Sequence, residues 1–145
     1  MVINLKKLNK NALIPKRGSE FSAGYDLYAC IDNNIIIKSG ETVKIPTGIS
    51  IEIPIGYAGL VYARSGTSTK KGLAPANKVG VIDSDYRGEI IVFIHNHSKS
   101  DAMIEKNERI AQLVITPFLS VDFNEVNELS KTTRGESGFG STGLK

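Results

Sequence analysis

The chain has 145 residues, with 18 basic and 15 acidic side chains and a formal net charge of +3 at pH 7. A chain of this length forms one domain whose core needs no disulfide or metal to hold it together. The basic residues are spread without a Lys/Arg block, which argues against a nucleic-acid partner. Cys30 is the single cysteine, which excludes an internal disulfide, and its apolar neighbours predict a buried thiol in a reducing compartment.

Secretion and membrane insertion are not expected from this sequence. Residues 1–7 are too few and too polar for a signal peptide. No apolar run approaches the ~20 residues that are needed to cross a bilayer. We therefore expect a cytoplasmic protein that has no membrane partner.

Short segments rich in Ile, Val and Tyr recur along the chain, separated by Pro and Gly turns, and helical periodicity is almost absent. The one predicted helix begins at Ser65 and has at most two turns. Many short strands at close spacing indicate an all-β sandwich or barrel. Strands are predicted near residues 2–6, 25–31, 34–38, 41–45, 48–53, 58–63, 77–82, 89–95, 101–105, 109–116 and 121–126.

Two polar residues interrupt apolar strands. Asp26 lies in the segment AGYDLYA at 23–29, where alternation places it on the face opposite Leu27. It is either a solvent-facing acid, which is the commoner case, or a functional carboxylate. Gln112, in RIAQLV at 109–114, is either a satisfied sheet residue or a ligand contact.

Arg64, Ser65 and Gly66 join a predicted strand to the predicted helix. Ser65 is a good helix N-cap, which is its structural role. The alternative is anion binding, because a helix N-terminus offers free N–H donors and Arg64 adds a planar fork for phosphate oxygens. Both interpretations stay open on these residues alone.

The segment GVIDSDYRG at 80–88 places Asp83, Asp85, Tyr86 and Arg87 between two apolar, β-branched runs. This pattern predicts a hairpin whose tip carries ionisable groups. A carboxylate held at such a tip can serve as a general base. The alternative is an ordinary polar turn.

His95 and His97 lie two residues apart in a predicted strand, so both face the same side. Two ligands do not complete a zinc site, and no acid or cysteine pattern nearby supplies a third and fourth. We interpret the pair as structural. No Ser/His/Asp or Cys/His pattern indicates nucleophilic catalysis.

Residues 130–145 are rich in Gly, Ser and Thr, which predicts a flexible arm after a β domain at 1–129. GFGSTG at 138–143 matches G-x-G-x-x-G, but too few residues follow for the helix that a dinucleotide site requires. The arm is either a plain linker or a lid whose backbone N–H groups and hydroxyls wrap a phosphate. The arm also carries Arg134 and one aromatic residue, Phe139, which has nothing local in the sequence to bury against.

These segments occur in one order that resembles the five motifs of the trimeric deoxyuridine triphosphatases (dUTPases). The resemblance runs from residue 23 to residue 143 and implies a jelly-roll-like β-clip fold, a homotrimer and a site shared by three subunits. It also implies hydrolysis of dUTP to dUMP and pyrophosphate with Mg²⁺, which limits uracil in DNA and supplies dUMP for thymidylate synthesis. The matching segments are AGYDLYA at 23–29, RSG at 64–66, GVIDSDYRG at 80–88, RIAQLV at 109–114 and RGESGFGSTG at 134–143.

The resemblance assigns roles residue by residue. Asp83 deprotonates the attacking water, Tyr86 lies under the deoxyribose and excludes a 2′-hydroxyl, and Asp26 binds Mg²⁺ through water. Uracil is contacted by the backbone of Asn77, Gly80, Val81 and Ile82, by Ile91 behind it, and by the stacked ring of Phe139. The phosphates are contacted by Arg64, Ser65, Gly66, Gln112 and Arg134, with Gly140, Ser141 and Thr142 closing over them.

Two other functions are weighed against hydrolysis of dUTP. A dCTP deaminase shares the fold but carries a catalytic Glu in the strand after the hairpin, and residues 90–94 contain no acid. A non-catalytic trimer that binds nucleotide or a regulatory protein is the other alternative. The presence of Asp83, Tyr86, Arg134 and Phe139 argues against lost catalysis.

Overall fold

The computed structural model describes residues 1–136 and 138, and the prediction of an all-β fold is confirmed. Regular structure in these residues consists of strands and one short helix, and each strand pairing is antiparallel. The strands are β1 (Asn4–Lys7), β2 (Lys16–Arg17), β3 (Tyr25–Tyr28), β4 (Ile35–Ile37), β5 (Thr42–Pro46), β6 (Ile49–Glu52), β7 (Tyr57–Tyr62), β8 (Leu73–Pro75), β9 (Gly80–Ile82), β10 (Ile91–Asn96), β11 (Ala102–Ile104) and β12 (Arg109–Pro117), and the helix is α1 (Ser65–Lys71).

Four sheets surround one hydrophobic cluster. The largest has the order β2-β3-β12-β7-β9, the next β5-β10-β8, and two pairs are β1-β6 and β11-β4. Leu27, Ile45, Ile94 and Ile104 are fully buried in the cluster and come from four different strands. Alternation explains this packing, because one side chain in two along each strand faces the core.

The segment at 80–88 is not the tip of a hairpin, and that prediction was wrong. β9 pairs with β7, whereas β10 pairs with β5 and β8, so the two strands belong to different sheets. Residues 83–90 form a loop, here called the acidic loop, that connects the two sheets. Apolar runs on both sides of a turn predict strands, but they do not say which strands pair.

The helix begins where the sequence predicts it, with one difference at its start. Arg64 is the N-cap residue and makes no side-chain capping bond, while Ser65 is the first helical residue. Gly72 ends the helix with a φ of 65°, in the left-handed region that favours glycine. Of the two alternatives left open for Ser65, the capping role is therefore wrong.

The predicted strand at 121–126 does not form, although its residues are described. Every residue from 117 to 136 is exposed, and β12 is the last strand of the described chain. Two strands were missed: β2 has only two residues, both basic, and β8 ends on Pro75 at a sheet edge. Segments this short carry no alternation to detect.

Cys30 is half-buried and not fully buried as predicted. Its burial raises the pKa of the thiol above its ordinary value, and the carboxylates of Glu89 and Asp32 raise it further. The thiol is therefore protonated at neutral pH. In residues 1–136 no helix is both long and apolar enough to traverse a bilayer.

Candidate active site

The acidic loop borders a cavity of about 320 Å³ between β9 and β10. This volume lies in the range of small-molecule sites. The cavity brings together seven residues that the sequence singled out, all between residues 77 and 91. They are Asn77, Gly80, Val81, Ile82, Asp83, Tyr86 and Ile91.

β9 presents a free backbone edge to this cavity. It is the last strand of the five-stranded sheet, so only one of its sides pairs with another strand of that sheet. An edge strand has unpaired N–H and C=O groups along its outer side. Gly80 has the Asn77 amide beside it: a Cβ on Gly80 would lie 3.2 Å from Asn77 Nδ2. This part of the wall can therefore recognise a flat ring through its backbone.

Asp83 and Tyr86 lie at the start of the acidic loop. The Tyr86 amide donates to the Asp83 carbonyl at 3.2 Å, and the Tyr86 hydroxyl donates to the Glu89 carbonyl at 3.0 Å. Both residues are exposed, Tyr86 with 45% of its surface accessible. Within the described residues, nothing hydrogen-bonds to the Asp83 carboxylate, which leaves it able to accept a proton.

The acidic loop is tied to the beginning of β6. The Ser50 hydroxyl donates to the Arg87 carbonyl at 2.7 Å, and the Gly48 amide donates to Glu89 Oε1 at 2.7 Å. The Arg87 guanidinium also bonds the carbonyls of Ser84 and Tyr86, at 2.7 and 2.9 Å. A further bond joins the Thr47 hydroxyl to the Ile90 carbonyl at 2.5 Å. These bonds fix the loop relative to the sheet.

A second cluster, here called the arginine cluster, surrounds Asp26 at the junction of β3, β12 and β7. Asp26 is 7% exposed, and Arg64 Nε lies 2.6 Å from its Oδ1. Arg109 Nη1 lies 3.4 Å from its Oδ2. Asp26 is therefore a paired, buried carboxylate and not a solvent-facing acid. Two guanidinium groups against one carboxylate leave a net positive charge, which suits an anionic ligand.

Strand register places Gln112 in the arginine cluster. Gln112 lies opposite Asp26 on β3 and opposite Tyr62 on β7. Its Nε2 donates to the Ala63 carbonyl at 2.8 Å. The Gln112 side chain also packs on Gly24, since a Cβ built on Gly24 would lie only 3.1 Å from Gln112 Cδ. Sequence reasoning missed the packing role of Gly24, because no local pattern relates a glycine before β3 to a residue on β12.

The predicted site residues thus form two groups in one chain. Among the residues described, none of the arginine cluster and neither Ser65 nor Gly66 lines the cavity. Arg134 is exposed in the segment after β12. Phe139, Gly140, Ser141 and Thr142 lie outside the described residues. Arg109 and Glu89 are site residues that sequence reasoning did not single out. The one sequence feature that could have drawn attention to them is that each is a charged residue at the start of a predicted strand.

His95 and His97 pack together away from these groups. Their ring centroids are 4.5 Å apart, and His95 Nδ1 is 2.8 Å from Thr42 Oγ1. Burial lowers the pKa of His97, and nearby Lys78 and His95 lower it further. In residues 1–136 and 138 no cluster of three or more His, Cys, Asp or Glu could hold a metal.

Comparison with known proteins gives a consistent result. A protein-family model described as dUTPase matches residues 10–143. The chain is 46% identical over 145 residues to the deoxyuridine 5'-triphosphate nucleotidohydrolase of Hydrogenobaculum sp., covering 100% of both chains. It is 49% identical over 143 residues to the enzyme of that name from Nautilia profundicola, covering 99% of each.

Solved structures agree with the sequence matches. The Staphylococcus bacteriophage 80alpha dUTPase with dUPNHPP superposes with a TM-score of 0.90 at 33% identity, covering 99% of each chain. A mutant dUTPase from phage phi11 of S. aureus, described for its coordination of a structural Mg(II) ion, superposes with a TM-score of 0.81 at 26% identity. That match covers 90% of this chain and 100% of the other.

Proposed function

This chain belongs to the dUTPase family, and we propose that it hydrolyses dUTP to dUMP and pyrophosphate with Asp83 as the general base. The observation that carries this proposal is the cavity that holds Asp83 and Tyr86 on one braced loop. A general base must lie within reach of the proton it removes and must not be occupied by another partner. In the proposed step, Asp83 accepts a proton from the water that attacks a phosphorus atom, and pyrophosphate leaves.

The nucleoside occupies the cavity in this proposal. The outer edge of β9, with Asn77 beside it and Ile91 behind it, bonds the uracil edge, and Tyr86 lies under the deoxyribose. Uracil and cytosine exchange donor and acceptor at N3 and at the exocyclic group. A mispaired buried group costs about 1–3 kcal/mol, so fixed backbone partners can select uracil.

The triphosphate is held by positive charge. Phosphoryl transfer depends on positioning and on charge neutralisation more than on covalent help from the protein. Arg64, with Ser65 and Gly66 at the start of α1, and Gln112 bind the phosphates, and Arg134 binds the terminal one. Phe139 stacks on uracil, which is worth about 1–3 kcal/mol, and Gly140, Ser141 and Thr142 close over the phosphates.

Mg²⁺ is the proposed cofactor, and Asp26 fits a contact to it through water. Both Asp26 oxygens already accept from arginines, so direct coordination would break an ion pair. Mg²⁺ usually keeps water and substrate phosphates as most of its ligands, with one or two carboxylates. The ion would supply neutralisation of phosphate charge when bound.

The active unit is proposed to be a homotrimer, in which the cavity of one subunit faces the arginine cluster of another. The separation of the two groups within one chain supports this arrangement. Residues 118–129 also carry several exposed apolar side chains, with Leu119 87% and Phe123 97% accessible. An apolar groove of about 450 Å³, lined by residues that include Leu5, Ile51 and Ile115, is open to receive them.

The division into a β domain at 1–129 and an arm at 130–145 that closes over the site is part of the same proposal. The arm of one subunit reaches the cavity of another. In the cell this activity limits uracil in DNA and supplies dUMP for thymidylate synthesis, and we expect it in the cytoplasm.

The deciding experiment measures pyrophosphate release from dUTP, dCTP, dTTP and UTP side by side, with ammonia release recorded for dCTP. We expect rapid release from dUTP alone. Ammonia from dCTP would identify a deaminase. Glu89 lines the cavity together with Asp83 and is the other carboxylate that could serve that reaction. Its Oε1 already accepts a hydrogen bond from the Gly48 amide. Binding of dUTP without turnover would identify a non-catalytic nucleotide-binding protein.

A further inference from the structure

The ring of Tyr86 lies directly against Gly88. A Cβ built on Gly88 would overlap the Tyr86 hydroxyl and lie 2.6 Å from Cζ and 3.0 Å from Cε2. The backbone itself does not demand glycine here, because Gly88 is not among the glycines with positive φ. The three nearest atoms to a Cβ at position 88 thus all belong to the tyrosine side chain.

Tyr86 has little freedom to move aside. Its hydroxyl donates to the Glu89 carbonyl at 3.0 Å, so the ring is held at its far end as well as at its Cα. The ring lines the cavity and is 45% exposed. One part of the side chain thus contacts Gly88 while another part forms the cavity wall.

The acidic loop cannot readily make room by shifting as a whole. The Ser50 hydroxyl donates to the Arg87 backbone carbonyl at 2.7 Å, and the Gly48 amide donates to the side-chain carboxylate of Glu89 at 2.7 Å. These bonds lie on both sides of Gly88 in the chain. The ring of Tyr86 is therefore the first group that a side chain at Gly88 would press on, since the three nearest atoms to the added Cβ all belong to it.

We propose that Gly88 is a positioning residue that sets the place of the Tyr86 ring and thereby the preference for deoxyribose over ribose. The inference rests on the proposed function, in which Tyr86 lies under the sugar. A packed apolar surface disfavours a substrate with one added hydroxyl by roughly a hundredfold at most. That discrimination requires the Tyr86 ring to lie at the correct distance from the sugar. A ring moved by a methyl group no longer meets C2′ at the same distance.

The test compares kcat/KM for dUTP and UTP in wild type and in Gly88→Ala. We expect the dUTP/UTP ratio to fall roughly tenfold or more, with the KM for dUTP rising more than kcat changes. Gly18→Ala is the matched control, because a Cβ there would have its nearest neighbour at 3.9 Å and its φ is not positive. This control should keep the wild-type ratio.

A double-mutant cycle with Tyr86→Ala separates this role from a general structural one. The three nearest atoms to the added Cβ all belong to Tyr86, so Gly88→Ala should not change the ratio further in the Tyr86→Ala background. An unchanged ratio in Gly88→Ala, or an equal fall in both backgrounds, overturns the inference. A wild-type protein that cleaves dUTP and not UTP supports the proposed function whichever way the Gly88 ratio falls.

A measurement on the wild-type protein keeps the inference testable should Gly88→Ala fail to fold. Nuclear Overhauser contacts between the Gly88 Hα protons and the Tyr86 ring protons are expected in the free enzyme. Their absence would mean that the ring does not rest on Gly88, and the inference would then be wrong.

Discussion

Two carboxylates of this chain differ in what surrounds them, and their surroundings suit them to different work. Asp26 is 7% exposed and paired with two arginines, so its charge is already committed to organising those side chains. Asp83 is exposed on the acidic loop beside the cavity. A proton acceptor must be available to its substrate, and Asp83 meets that requirement while Asp26 does not.

Replacing Asp83 by Asn should remove the general base and keep the shape of the side chain. We expect turnover to fall by about 10²- to 10⁴-fold, measured as pyrophosphate release, while calorimetry shows that a non-hydrolysable dUTP analogue still binds. Asp85→Asn is the matched control, because it makes the same charge change on the same loop outside the cavity lining. Undiminished release by Asp83→Asn would remove the base assignment.

At the scale of elements, the acidic loop gains its rigidity from the start of β6. Ser50 is 6% exposed, and its hydroxyl bonds the Arg87 carbonyl at 2.7 Å. Ser50→Ala should leave that carbonyl unpaired and lower the free energy of unfolding by about 1–3 kcal/mol. We also expect a lower kcat, since the loop carries Asp83.

Urea unfolding and steady-state kinetics check the Ser50 prediction. Ser39→Ala is the control, because its hydroxyl also bonds a carbonyl, that of Ser98, at 2.7 Å but in an exposed turn. Its stability should change by less than about 0.5 kcal/mol, as is usual for surface sites. Equal losses in the two variants would contradict a special role for the loop brace.

The C-terminal arm is the second element to test. Deleting residues 131–145 should leave a folded protein, because every described residue from 117 to 136 is exposed and contributes nothing to the core. We expect kcat/KM for dUTP to fall roughly tenfold or more, since the deletion removes the ring proposed to stack on uracil and the arginine proposed to bind phosphate. Circular dichroism checks the fold. Full activity of the truncated protein would mean that the arm is only a tail.

At the scale of the whole molecule, exposed apolar surface predicts association with further copies. Phe123→Asp places a charge in the middle of segment 118–129 and should shift the sedimentation coefficient from that of the proposed trimer toward that of a monomer. Phe21→Asp is the control, because Phe21 is 91% exposed, as Phe123 is at 97%, but lies outside that segment. A shift in both variants, or in neither, would argue against this segment as the contact.

Sequence patterns predicted most of the elements, and the two segments predicted wrongly failed for one cause. Alternation and Pro/Gly punctuation located ten of the twelve strands and the start of α1. The supposed hairpin at 80–88 and the supposed strand at 121–126 both failed, because each depended on a pairing partner. Alternation is a property of one strand, whereas pairing is decided by all the strands that compete for it.

The sequence by itself determined the all-β class, the order of the five motifs and the residue types available for chemistry. Tertiary structure alone decided that Asp26 is buried between two arginines, that Gly24 makes room for Gln112, and that Gly88 makes room for Tyr86. The physical reason is the distance along the chain over which each interaction acts. Side-chain alternation and turn formation act over a few residues, but ion pairs and close packing join atoms whose positions depend on the whole fold.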